Sequence, residues 1–463
     1  MASQPNIVKG ASVTEAEAYL RRLCEQTFLS LWSYPNPQSD EGLIGGRVRE
    51  VCDLLVVCGS DVIIFSDKGT RFPHAVDLPL AWSRWFRKAI YGAAKQAWGA
   101  QRLLSSQPAR IFLDRACKQP LPVEFPRTSL RFHLIVVAHG VSEHVRQHFG
   151  DSGTLMIDTM LRGAEAHTLP FCVGDLAPEK QFVHVLDDES LIALMSSRDT
   201  VVDFLAYLEK REALLRGATF IAAAGEEELL AYYLTHMNAA MEHDFAFEMK
   251  GQPPPDSLHL DQGFWESFQA SPERARQLQA DEISYIWDKL IDSFGNHALN
   301  GTQYTVSQGG FADTERVLRF MARAPRVARR EYSLQLVDML ETTPVTHRRI
   351  RVSRPLVPGQ PHYVFLLFPH PPNVPYAEYR EVRGHYLGWC CLVARLKYPE
   401  AEDIVGIATE PGIKRETRSE DAVYFDGRVW TEEHEREALS LQEDLRILTT
   451  VREFRSTTLE YPE

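Results

Sequence analysis

The stretch VCDLLVVCGSDVIIFSDKGTRFP, residues 51–73, decides how the chain is read. LLVVC and VIIF are apolar runs rich in β-branched residues, and Gly59-Ser60 between them supplies a tight turn, so the segment is expected to form a hairpin. With Val57 opposite Val62, counting outward sets Asp53 opposite Ser66. Side chains alternate along a strand, so Asp53, Ser66 and Lys68 share one face, and Asp67 falls on the other unless a bulge re-aims it. A carboxylate beside a lysine at a strand end suits metal-assisted hydrolysis of a phosphodiester. The Asp would hold Mg2+ or Mn2+, and the Lys would orient the nucleophile or stabilise the transition state. The plainer alternative reads Asp53 and Asp67 as charges at the solvent boundary and Lys68 as the guard of a strand edge.

Outward from the hairpin, residues 12–32 (SVTEAEAYLRRLCEQTFLSLW) open with Ser-x-x-Glu and carry apolar residues at helical spacing, which predicts a capped amphipathic helix. SYPNPQSDEGLIGG then ends it in a loop. On the other side, residues 81–104 predict a helix with two stripes. Trp82, Phe86, Ala89, Ala93, Ala97 and Leu104 form a core face, and Arg84, Lys88, Lys95 and Arg102 a basic one. Short strands are expected at 110–114, 131–138 and 181–186, so strands and helices alternate through about residue 190. From there the pattern turns to long helices, with MKGQPPPDS at 249–257 as a connector. The strands YVFLLF and DIVGIAT and a helix over 376–397 suggest a small α/β domain at the end. The fold class expected is α/β and α in three parts: an α/β domain over 1–190, a helical region over 191–345 and a C-terminal α/β domain over 346–463.

Helix, loop, strand opening on Asp, hairpin, strand ending in x-x-Lys, then a long helix: this order resembles the PD-(D/E)xK phosphodiesterase core of restriction-endonuclease-like enzymes. The resemblance covers roughly residues 12–138. It implies a metal-binding acid at Asp53, the second acidic position at Ser66, the lysine at Lys68, and a supporting acid from the first helix, Glu17 or Glu15. It also places a polar residue of the following helix at Lys95-Gln96. This sequence departs from the pattern at Ser66, where a hydroxyl stands in for a carboxylate. Asp67, by a bulge, or Glu50, by the preceding segment folding over, would supply the missing charge. Otherwise the domain binds without cutting.

The whole chain has 463 residues and a net charge of −13, unevenly spread. Residues 68–131 hold twelve Lys and Arg against three acids, a local excess of about nine, which leaves about −22 for the remainder. A basic block of this kind is the footprint that a polyanion such as DNA or RNA needs, since each neutralised phosphate releases counterions. The acidic remainder could mask that block until a trigger arrives. No apolar run approaches the ~20 residues of a membrane helix and no secretory leader is evident, so a cytoplasmic protein without membrane contact is expected. The seven cysteines form no C-x-x-C pair and read as buried thiols. His139, His144 and His148 read as helix-surface residues, and Gly225-Glu226-Glu227-Glu228 as an acidic helix start. No phosphate-binding loop, dinucleotide fingerprint or serine elbow is present.

The function expected is a metal-dependent nuclease, with Asp53, Ser66, Asp67, Lys68 and Glu50 as its catalytic set and Asp53, Asp67 and Glu17 as metal ligands. Arg84, Lys88, Lys95, Gln96 and Arg102 would hold the nucleic acid. The build resembles bacterial self-versus-foreign defence proteins, with a homodimer or a regulatory protein as further partners. The alternative is a non-catalytic scaffold, binding nucleic acid or protein on a degenerate nuclease fold.

Overall fold

The structure, a computed structural model, describes residues 7, 9, 15–41, 48–73, 77–123, 125, 130–150, 153–238, 242–245, 257–302, 310–412, 418–453 and 459–462, apart from the side chains of 15–17 and 109. It is a mixed α/β protein in two compact units, Pro5–Ala275 and Arg276–Glu463 with Met1–Gln4. Among the described residues no helix is long and apolar enough to cross a membrane.

The first unit is built on the hairpin. Strands β4 (Leu54–Cys58) and β5 (Asp61–Lys68) pair antiparallel from Cys58↔Asp61 to Leu54↔Phe65, with no slip in the register. Gly59, at φ 65°, takes the positive dihedral that a two-residue turn requires. Helix α1 (Glu15–Trp32) precedes it, broken at Leu29, where Ser33 Oγ donates to the carbonyls of Leu29 and Cys24. Short strands β1 (Ser33–Pro35), β2 (Gln38–Ser39) and β3 (Arg49–Glu50) fill the connection. After the hairpin the chain runs as one continuous helical rod: α2 (Leu78–Trp85), a π-helical segment Phe86–Tyr91, and α3 (Gly92–Ser106). The small residues Ala89, Ala93 and Ala97 are fully buried and let α3 lie close on the sheet. Trp82, Trp85 and Trp98 each donate their indole N–H to a backbone carbonyl, of His167, Thr70 and Gln181, which satisfies the one polar atom of each ring.

Beyond β6 (Ile111–Phe112), the rod returns the chain to β7 (Arg131–Ala138), parallel to β5. Helix α4 (Ser142–Phe149) and strands β8 (Met156–Arg162) and β9 (Cys172–Asp175) follow, and β10 (Val183–Asp187) closes the main sheet parallel to β7. The sheet order is β1-β4-β5-β7-β10, so β5 and β7 are interior strands. Next come α5 (Asp188–Ser197), α6 (Val201–Gly217), β11 (Phe220–Ala223), α7 (Glu226–Leu234), β12 (Ser257–Leu260) and α8 (Phe264–Gln269), then α9 (Pro272–Asp281), which carries the boundary between units. A second sheet has the order β12-β11-β8-β9, and a third β3-β2-β6.

The second unit sets α10 (Tyr285–Leu299), α11 (Phe311–Ala322) and α12 (Arg326–Thr342) with the sheet β13 (Arg349–Ser353), β14 (His362–Leu367), β15 (Asp403–Thr409) and β16 (Asp421–Asp426). Helix α13 (Tyr376–Lys397) connects the parallel strands β14 and β15, and α14 (Glu432–Asp444) packs on it.

The boundaries expected at 190 and 345 do not coincide with this division. The second sheet takes β8 and β9 from before residue 190 and β11 and β12 from after it. Phe204 of α6 meets Phe28 of α1 edge-on at 5.0 Å, tying the first helices past 190 to the hairpin domain. Trp287 and Tyr332 sit 5.1 and 4.6 Å from Tyr363 of β14, so the later helices share a core with the C-terminal sheet. The helical region is therefore divided between the two units, because each helix buries its apolar face on the nearest sheet. The connector expected at 249–257 lies outside the described residues except for Ser257, which opens β12.

Inside the first unit, charge is buried in pairs. Arg211 and Glu226, each 3% exposed, form a two-pronged ion pair at 2.7 Å, with the Tyr207 hydroxyl donating to the same carboxylate. Removing one partner of a buried pair leaves a bare charge, which costs about 3–5 kcal/mol. Glu226→Leu is therefore expected to lower the unfolding free energy in urea by about that much, whereas the double variant Arg211→Met/Glu226→Leu recovers most of the loss.

Candidate functional site

The hairpin register fixes where the charged residues of its open end lie. Extending it outward from Leu54↔Phe65 sets Asp53 opposite Ser66. The Asp53 carboxylate bends back onto the partner strand, where its Oδ2 accepts a hydrogen bond from the Asp67 backbone N–H at 2.7 Å. Ser66 is buried and turns toward α3, donating to Gln96 Oε1 at 3.4 Å, and Lys68, half-buried, closes the strand two residues on. Asp53, Ser66, Lys68 and Gln96 are thus brought to one end of the hairpin.

The other expected residues go elsewhere. No bulge interrupts β5 against either neighbour, so Asp67 projects to the face opposite Ser66, the face on which Phe65 meets Phe28 of α1. Glu50 lies exposed in β3, paired with Gln38 in the separate three-stranded sheet. The Glu17 and Glu15 side chains fall outside the described residues. The hydroxyl at position 66 is accordingly not supplemented by the Asp67 carboxylate.

Asp67 meets a residue that the sequence reading left on a helix surface. His139 follows β7 directly, before α4 begins, and its two ring nitrogens face two carboxylates. Nε2 lies 2.9 Å from Asp67 Oδ1, an ion pair rather than an aligned hydrogen bond, and Nδ1 makes a short contact with Asp188, the first residue of α5. The second Asp188 oxygen accepts from the Gly140 N–H at 3.0 Å. Burial works against a charge on this imidazole, but Asp188 and Asp67 outweigh it and raise the His139 pKa to about 10. The signal was present in the sequence: FSDK, VAHG and LDDE each place a titratable residue at the end of an apolar run. Only the parallel register of β5, β7 and β10 puts those three ends side by side. His144 and His148 stay on α4, in tilted contact with Phe72 and edge-on contact with Phe149 respectively.

The rod formed by α2, the π segment and α3 carries Arg84, Lys88, Lys95, Gln96 and Arg102, all exposed. Lys95 lies over the Tyr91 ring at 4.5 Å, which holds its ammonium along the rod.

A different group of metal-type ligands lies at the far end of the same strands. Asp61, His133 and Glu209 bring ligand atoms within 4.8 Å of one another. Arg131 already supplies the positive charge there, 2.8 Å from Asp61 and 3.3 Å from Glu209. Burial alone would raise the Asp61 carboxyl, but hydrogen bonds from His133 and Arg131 hold it below its usual range. This donor set is accounted for as an ion-pair cluster. The three glutamates at the start of α7 are likewise engaged: Glu226 by Arg211, Glu227 by the Thr154 hydroxyl, and Glu228 by the N–H groups of Gly263 and Trp265.

Because the folded-state pKa of His139 is raised, its stabilising contribution is complete below its ordinary value of 6.5 and is lost as the pH rises through about 10. The stability gap between wild type and His139→Gln, measured by urea unfolding, is expected to be widest near pH 6 and to close toward pH 10. The chain matches no family model, no curated protein and no solved structure.

Proposed function

We propose that the first unit is a metal-dependent nuclease of PD-(D/E)xK type that hydrolyses phosphodiester bonds in DNA or RNA. The observation that carries this reading is the open end of the hairpin, where Asp53 and Lys68 stand beside Ser66, and Ser66 bonds Gln96 of a helical rod with an exposed basic stripe. The order of elements supports it as well: an antiparallel β1-β4-β5 set, a crossover helix, and β7 parallel to β5.

The donor set suits Mg2+ or Mn2+. Mg2+ keeps several of its waters and is commonly held by one or two carboxylates together with substrate phosphate, and Asp53 offers one such carboxylate. When bound, the ion would lower the pKa of its water and offset charge on the phosphate. Asp53 is the ligand, steadied by the Asp67 N–H. Lys68 would supply the ammonium that offsets charge growing on the phosphate in the transition state. Gln96 orients the Ser66 hydroxyl from the crossover helix. Arg84, Lys88, Lys95 and Arg102 pair with successive backbone phosphates, which positions the strand without reading bases.

A second reading, a scaffold that binds nucleic acid without cutting it, is favoured by one observation: Asp67 is committed to His139 on the opposite face, which leaves Asp53 as the carboxylate of the hairpin end. Cleavage of plasmid, single-stranded DNA and RNA with Mg2+ or Mn2+ separates the two. A nuclease loses about 10²–10³-fold in rate in Asp53→Ala and in Lys68→Ala, the usual cost of removing one electrostatic stabiliser. A scaffold cuts nothing with either ion and binds equally well in EDTA.

The basic stripe generates its own prediction. For duplex DNA, each phosphate contact contributes about 0.9 to the slope of log affinity against log salt. Lys88→Ala and Arg102→Ala are each expected to flatten that slope by about one in fluorescence-anisotropy titrations, irrespective of DNA sequence.

A further inference from the structure

We infer that His139 is a positioning residue of the Asp53 site, acting through Asp67 and anchored by Asp188. The inference rests on the proposed nuclease reading and extends that site from the hairpin to β7 and α5, which the sequence pattern did not connect with it.

Asp67 has a side chain only 3% exposed, and among the described residues no hydrogen bond reaches its Oδ2. A buried carboxylate without a partner is costly, so its place depends on the imidazole beside it, His139 Nε2 at 2.9 Å. His139 in turn is held at Nδ1 by Asp188, and Asp188 by the Gly140 N–H. The chain of contacts therefore runs from the β7 turn through Asp188, His139 and Asp67 to the Asp67 N–H that Asp53 accepts. Lys68 is the next residue after the clamped one. An imidazole can face a carboxylate with each of its two nitrogens at once, and neither Asn nor Gln reproduces that two-ended clamp. Releasing it leaves the last two residues of β5 held by their pairing with β7 alone, without the side-chain anchor that fixes the donor steadying Asp53 and the backbone carrying Lys68. The exposed basic stripe lies on a different element, so nucleic-acid binding should not follow.

The test compares the full chain with His139→Ala, Asp188→Asn and Asp188→Ala, measuring kcat and KM for cleavage with Mn2+, together with Mn2+ binding by calorimetry. His139→Ala is expected to lower kcat about tenfold or more with KM within about twofold, since a positioning defect acts on the transition state. Asp188→Asn keeps an oxygen that accepts from Nδ1 and should retain most of the wild-type kcat, whereas Asp188→Ala should resemble His139→Ala. Should His139→Ala not fold, the contrast between the two Asp188 variants carries the test. A wild type that cuts, with kcat unchanged in His139→Ala and in Asp188→Ala, overturns the inference alone, as does an equal loss in Asp188→Asn and Asp188→Ala. A wild type that neither cuts nor binds Mn2+ overturns the nuclease reading and this inference with it.

Discussion

A carboxylate buried in the middle of a sheet needs a cation, and in this protein that requirement organises the end of the central strand. β5 lies between β4 and β7, so the side chain of Asp67 has almost no access to water. His139 meets the requirement from the end of β7, and Asp188 balances the charge of His139 from the end of β10. Three neighbouring parallel strands each deliver one member, at the carboxyl edge where functional groups of α/β sheets commonly gather. With Asp67 engaged on one face, Asp53, Ser66 and Lys68 lie on the other, toward Gln96.

The same physical solution recurs through the chain. Arg211 with Glu226, and Arg326 and Arg329 with Asp288, are buried or half-buried groups of opposite sign, and buried Asp61 is met by Arg131 from the surface. In the second unit Arg383, with no exposed side chain, contacts Asp421, Glu410 and the Ser419 hydroxyl, so these two acids serve that unit's core. Such pairs add little net stability over apolar replacements, but each is expensive to break from one side. Acidic clusters that look available in the sequence are for this reason mostly spoken for, whereas the rod from Leu78 to Ser106 keeps Arg84, Lys88, Lys95 and Arg102 exposed.

The partition into two units follows from where helices find apolar surface. Aromatic contacts draw α6 to α1 and the Trp287 and Tyr332 helices to β14, although nothing in helical periodicity says which sheet a helix will cover. The short strands β11 and β12 went unread because four residues are too few to establish a period of two.

Local chemistry determined a good deal by itself. The hairpin, its glycine turn, the Asp53–Ser66 register, the crossover helix with its basic stripe and the parallel partner at 131–138 are all legible in residues close together in sequence, because turn preference and side-chain alternation act over a few positions. Tertiary structure alone decided that Asp67 finds His139 as its partner, that Glu50 belongs to another sheet, and that the helices after residue 190 divide between two cores. Those outcomes depend on which strand ends and apolar faces become neighbours. That is a matter of sheet order and burial, and residues 72 or 49 positions apart, Asp67 and His139 or His139 and Asp188, carry no local mark of the pairing.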